Sequence, residues 1–283
     1  MGDSLAGNLE QSGRPAAIII GAGLMGRHHA QAAAAAGARI AAIVDLDRQA
    51  AVSLAGSWPG AVSEIDLDKA LQSTRADVAH VCTPLPTHAA VATSVADAAL
   101  HVLIEKPLAT TAEDTRRIHE SFARNGKLAC PTHQYALQRS VGDAADWLPR
   151  AGALRRITFD ICSAGAVNGL DPDAVVAEIL PHPLSMVQKL LPSVEIASLD
   201  WSCVRAAPGE WAITAPIGSA VLIMQLSMSG RPTRFSSSTR RMVSRRLVAS
   251  ATHSTRSGSA SPAVRPSTMS RVISSSGLRP RSE

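Results

Sequence analysis

Three features of the sequence predict an α/β protein of two domains, the first built on a doubly wound parallel sheet and the second on an open, mainly antiparallel one. Short apolar, β-branched runs alternate with Ala-rich helical patterns from residue 15 to 131, the rhythm of strand–helix–strand units. A glycine triplet stands between the first run and the first helical pattern. After Pro131 the rhythm gives way to longer strand-like runs around one interrupted helix.

Residues 1–14, "MGDSLAGNLEQSGR", carry acids and no apolar segment, so they read as a flexible arm and not a targeting signal. The first domain spans 15–131. "AAIII" is continuous enough in aliphatic character for a strand buried on both faces, "LMGRHHAQAAAAA" is a helix, "RIAAIVD" a second strand and "DRQAAVSLA" a second helix. The alternation continues through "DLDKALQS", "DVAHVCT", "THAAVATSVADAA", "HVLIEKP", "TAEDTRRIHESFARNG" and "KLACP". In the second domain, 132–235, "ALRRITFDICS" reads as a strand and "DPDAVVAEILPHPLSMVQKLL" as a helix broken near its prolines. "VEIASLDWSCVRA" and "GSAVLIMQLSMSGRPTRF" read as sheet strands.

At 283 residues and 46% hydrophobic, the chain can bury a substantial core. No window approaches the roughly 18 apolar residues of a membrane helix, so no membrane partner is expected. Cys82, Cys130, Cys162 and Cys203 are widely spaced and form no CxxC, which points to free thiols, a reducing cytoplasm and no metal site. The net charge of +5 sits in the tail, because residues 236–283 hold nine Arg, no Lys and one acid. The body is therefore mildly acidic, and nucleic acid is an unlikely partner. With 15 Ser and no aromatic residue, that stretch reads as a disordered, low-complexity basic tail. Its Arg-without-Lys bias is also what a frameshifted reading frame can produce, in which case the second sheet is incomplete.

"IIIGAGLMGRHH" contains G-x-G-x-x-G as Gly21, Gly23 and Gly26, with Leu24 and Met25 between. Between a strand and a helix, this pattern lets a backbone turn approach a pyrophosphate and offers helix amides to it. Asp45 closes the next strand at the offset expected for a carboxylate on the adenosine ribose hydroxyls, which favours NAD. Arg48 lies close enough to accept a 2′-phosphate, which keeps NADP as the lesser alternative.

With this fingerprint, "VCTPLPTH" and "IEKP" in order, the chain resembles the Gfo/Idh/MocA family over about residues 16–235. The resemblance implies an N-terminal Rossmann domain, a second α/β domain whose sheet face often mediates homo-oligomerisation, and hydride transfer between a nicotinamide and a sugar, cyclitol or related polyol. It implies Lys106 as the catalytic lysine, beside the nicotinamide with Glu105. Thr83, Pro84 and His88 are carried over as cofactor-binding residues, His88 with an alternative as a solvent-facing first-turn histidine. Glu178 and His182 stand where the family places an Asp four residues before a catalytic His. Spacing i, i+4 puts the two on one helix face, so the carboxylate can orient the imidazole. Pro181 and Pro183 flank that histidine, and a loop position between two short helices is the competing reading. The expected function is a cytoplasmic NAD(P)-dependent dehydrogenase acting on CH–OH groups. The alternative is a dinucleotide-binding protein without turnover, which an incomplete second sheet would produce.

Overall fold

The computed structural model describes residues 13–163 and 171–228, and the backbone of 248–253. In the first domain β1 (Ala16–Ile20), β2 (Arg39–Val44), β3 (Val62–Glu64), β4 (Val78–Val81), β5 (His101–Ile104) and β6 (Ala129–Pro131) form one sheet in the order β3-β2-β1-β4-β5-β6. Every pairing is parallel. The order reverses between β1 and β4, and in such sheets ligands bind at the carboxyl ends beside that switch point.

The two-residue period of a strand divides the core. Ile18 and Ile20 pack with Val81, Ile104, Ile118 and Phe122 on one face, while Ala17 and Ile19 pack with Ala30, Ile43 and Leu54 on the other. The helices that cover those faces are α1 (Leu24–Ala35), α2 (Arg48–Ala55), α3 (Leu67–Ser73), α4 (His88–Asp97) and α5 (Ala112–Arg124). Asp47, Asp66 and Thr111 cap α2, α3 and α5 by accepting first-turn amides, donors that have no partner within the helix.

The second domain follows α6 (Arg139–Trp147) with β7 (Arg156–Ser163), α7 (Pro172–Ile179), α8 (Pro181–Leu190), β8 (Ser202–Ala207), β9 (Glu210–Ile217) and β10 (Ala220–Ser227). Its sheet order is β11-β7-β10-β9-β8, with β11 at Val248–His253. The expectation of a mainly antiparallel sheet is corrected to a mixed one. β8, β9 and β10 form an antiparallel meander, but β10 returns beside β7 in parallel, because a helical crossover carries the chain from β7 to the far edge. Phe159, Leu222 and Met224 face Val176, Ile179, Met186 and Val187 of α7 and α8 in one apolar cluster.

Three differences from the sequence reading have local causes. "EWAITAPI" is a strand absent from the sequence reading; Pro216, which cannot donate to a ladder, is tolerated opposite Val221 next to the hairpin turn. "VEIASLDWSCVRA" is a strand only from Ser202, since Ile196–Ser198 forms a 3-10 turn. β11 lies within the stretch read as disordered tail and pairs in parallel with the outer edge of β7, whose unpaired backbone groups accept any extended segment. The arm calls on residues 1–12 and the remaining tail calls, on 236–247 and 254–283, lie outside the described residues.

Leu222 is fully buried in the middle of β10. We expect Leu222→Ala to cost roughly 3 kcal/mol through lost burial and the cavity left behind, measured as a lower urea midpoint. An unchanged midpoint would show that this sheet does not carry the domain.

Candidate functional site

The crevice begins at the turn after β1. Gly21 has φ +101°, a region that penalises any side chain, and a Cβ there would lie 2.7 Å from the Cys82 carbonyl oxygen. A Cβ on Gly26 would overlap the Gly21 carbonyl oxygen. Gly23 is exposed with nothing near its would-be Cβ, and it is the N-cap of α1 without a side-chain hydrogen bond. The helix therefore starts with free amide donors beside open space, which suits an anion. Leu24 is exposed and Met25 half-buried alongside.

Asp45 stands where the offset predicted, at the carboxyl end of β2. Its Oδ2 accepts from the Ala22 amide at 2.6 Å and its Oδ1 from the Asp47 amide at 2.9 Å. The carboxylate thereby holds the glycine turn and the entry to α2, and retains lone pairs for a diol.

At the end of β5 stands Glu105, which the family resemblance assigns to the cofactor site. Glu105 is 6% exposed and turned inward, with Oε1 2.8 Å from His29 Nε2 and Oε2 accepting from the Lys106 amide at 3.2 Å. His29 Nδ1 lies 3.1 Å from His80 Nδ1. Burial opposes ionisation of Glu105, but the hydrogen bond and charge of His29, with the Lys106 amide and ammonium, outweigh it and hold the carboxyl below its ordinary range. His80 is pushed down to about 4 by burial and by His29, so it is neutral near pH 7. Burial, then the Glu105 charge, pushes the Cys82 thiol up and keeps it protonated.

His88, also assigned to the cofactor site, starts α4. It is 1% exposed, and its ring nitrogens lie 2.9 Å from the Pro107 carbonyl oxygen and 2.8 Å from that of Thr83. It is not the solvent-facing first-turn histidine of the alternative reading, and it ties the β4–α4 turn to the loop after Lys106. Thr83 is half-buried and Pro84 exposed, so that turn borders the crevice.

The second domain enters from α7 and α8. Asp173 accepts from the Gly209 amide and the Trp211 indole at 2.9 and 2.8 Å and pairs with Arg205 at 2.8 Å, anchoring the start of α7 to the β8–β9 hairpin. Pro181 and Pro183 remove the amides that would close the helix onto Ala177 and Ile179, and α7 and α8 meet at Leu180, which keeps helical angles. Lys106 Nζ reaches the Glu178 backbone carbonyl at 3.3 Å, so lysine and helix junction come together, though through the Glu178 main chain. His182 lies in the first turn of α8, buried at 9% exposure, with the Tyr135 ring edge-on at 4.5 Å between centroids. It is a helical residue and not a loop histidine.

At the carboxyl end of β6, Thr132 Oγ1 and His133 Nδ1 are buried without hydrogen-bond partners, polar atoms that a ligand can satisfy. Burial pushes His133 down against the opposing Glu105 charge. Among the described residues, no group of three or more His, Cys, Asp or Glu is arranged to hold a metal, and no helix is long and apolar enough to cross a membrane. The sequence reading missed His29 and His80; "RHHA" and "VAHV" place a polar residue in otherwise apolar patterns, the available signal.

Comparison with known proteins places this crevice in context. Residues 16–133 match a family model described as an oxidoreductase family with an NAD-binding Rossmann fold. An inositol 2-dehydrogenase from Saccharopolyspora erythraea is 36% identical over 111 residues, covering 38% of this chain and 33% of the relative. Another, from Rhodococcus erythropolis, is 27% identical over 194 residues, covering 64% and 54%. The chain thus spans a third to about half of the length of these relatives. The structure of a myo-inositol dehydrogenase from Lactobacillus casei, in complex with NAD(H) and myo-inositol, superimposes with a TM-score of 0.63 at 20% identity over 76% of this chain and 68% of that one. This last likeness is one of fold.

The buried His80 makes stability depend on pH. It titrates at about 4 when folded against 6.5 ordinarily, so between these values the unfolded chain binds the proton and the folded chain does not. Stability is full above 6.5 and is lost as pH falls toward 4, by roughly 2 kcal/mol at pH 5. Urea unfolding at pH 7.5 and 5.0 should show that loss in the unmodified protein and a smaller one in His80→Val. Equal losses in both would remove His80 as the cause.

Proposed function

Since residues 16–133 match the Gfo/Idh/MocA oxidoreductase family model, we propose that the protein is an NAD-dependent dehydrogenase acting on a CH–OH group of a sugar, cyclitol or related polyol. The observation that carries this reading is the meeting of Lys106 Nζ with the junction of α7 and α8 at 3.3 Å, at the same sheet edge as an open glycine turn and Asp45. The inositol dehydrogenase relatives support the substrate class.

The glycine turn fits a dinucleotide, because Gly21 and Gly26 allow the close approach and Gly23 leaves space before the free amides of α1. Asp45 would take the adenosine ribose diol, and its charge would repel a 2′-phosphate. When bound, NAD supplies the hydride acceptor. Lys106 Nζ donates to the substrate oxygen and offsets the negative charge that develops there. His182 takes the hydroxyl proton; its Nδ1 is buried, so Nε2 is the atom that receives it. Tyr135, packed edge-on, fixes the plane of that ring.

The cofactor assignment predicts tighter binding of NAD than of NADP, with the preference narrowed or reversed in Asp45→Ser. Titrating both dinucleotides into both proteins checks it, and equal affinities in the unmodified protein would move the determinant to Arg48. With a polyol that supports nicotinamide reduction, Lys106→Ala and His182→Ala should each lower turnover roughly a hundredfold, as for loss of a positioned acid, base or oxyanion donor. Cofactor affinity should stay nearly intact. Full activity in His182→Ala would place the base elsewhere, and tight NAD binding without turnover on any polyol would leave a dinucleotide-binding protein.

A further inference from the structure

Three titratable side chains from three elements meet beneath the Lys106 loop, and the reaction proposed above uses none of them. His29 comes from α1, His80 from β4 and Glu105 from the end of β5; all are buried, at 6%, 8% and 6% exposure. A buried carboxylate held by an imidazole gives up about as much in desolvation as it regains, and apolar residues of similar volume commonly serve stability as well. Its geometry shows what else it does. α1 is the helix whose first turn borders the glycine turn, and the Lys106 amide belongs to the residue at the reacting end. Through His29 Nε2 to Glu105 Oε1 at 2.8 Å, and Glu105 Oε2 to the Lys106 amide at 3.2 Å, these two ends of the crevice are joined by two side chains.

We infer that His29 and Glu105 are positioning residues that couple the seat of α1 to the placement of Lys106, so that docking of phosphates at the glycine turn is felt at Lys106. The inference rests on the cofactor reading above. His80 keeps the coupling rigid. With His29 Nε2 turned to Glu105 at 2.8 Å, the 3.1 Å contact between His29 Nδ1 and His80 Nδ1 holds the other edge of the ring. On the far side of Lys106 the next residue is held as well, by His88 on the Pro107 carbonyl. The lysine thus stands between two fixed points, and the Glu105 side leads through His29 directly into α1.

The test uses ADP, which carries the pyrophosphate and adenosine but nothing that reaches Lys106. Lys106 acetylation by a water-soluble acylating reagent is followed by peptide mass spectrometry on the full chain, with and without saturating ADP. Coupling predicts that ADP slows labelling of Lys106 about fivefold or more in the unmodified protein. His29→Gln, which keeps a donor for Glu105, should retain the effect. His29→Leu combined with Glu105→Met replaces the pair by apolar residues that can still pack; circular dichroism confirms its fold, and it should bind ADP within about twofold of normal while its labelling no longer responds. A Lys106 rate indifferent to bound ADP in the unmodified protein would overturn the coupling. A full response in the double variant would overturn the role of the pair. Failure of the unmodified protein to bind ADP at all is a separate result, which would bring down the cofactor reading and this inference with it.

Discussion

The rest of the site depends on one close approach, that of the first turn of α1 to the turn after β1. The Gly21 carbonyl oxygen occupies the place where a side chain on Gly26 would have to sit, and Gly21 in turn lies against the Cys82 carbonyl. Only glycines allow helix and sheet to come this near. Once they do, the amides of α1 open toward the crevice, and His29, a turn and a half along, is brought over the end of β5. A helix set farther out would lose both the anion-binding end and the contact with Glu105.

From that contact the polar network spreads along the carboxyl edge in a chain of buried partners. Glu105 stays ionised although buried, because His29 and the Lys106 main chain outweigh the cost of desolvation. The same negative charge pushes Cys82 up. It therefore acts as a local source of potential at the strand ends while Lys106 supplies the positive charge facing the other way. A charge pair with one member locked inside and the other reaching across to α7 is what a strand end reading Glu-Lys-Pro accomplishes here.

The second domain brings its contribution by a different route. Asp173, tied to Gly209, Trp211 and Arg205, sets α7 on the mixed sheet. The prolines at 181 and 183 then divide one amphipathic run into two helices without changing its direction. His182 is consequently buried in the first turn of the second helix, with an aromatic edge against it. The i, i+4 reading placed Glu178 and His182 on one face; what Lys106 meets is the Glu178 carbonyl, a main-chain group that no side-chain pattern encodes.

Periodicity and turn chemistry were enough to read from the sequence the strand–helix alternation, the glycine turn and the position of Asp45, because each is set close along the chain; Asp45 and the Ala22 amide it holds are 23 positions apart. The same local logic found the broken helix at the prolines. It failed where a strand carried a proline, as in Glu210–Ile217, and where an open sheet edge recruited Val248–His253 from an apparently structureless stretch. It also could not orient side chains. Glu105 and His88 were legible as polar residues at strand and helix ends, but whether such residues face a ligand or the interior is decided by partners 76 and 19 positions away. Only the folded chain brings His29 over Glu105, or lays the Pro107 carbonyl against His88, and burial then makes those partners obligatory, since an unpaired polar group there would cost more than the fold can spare.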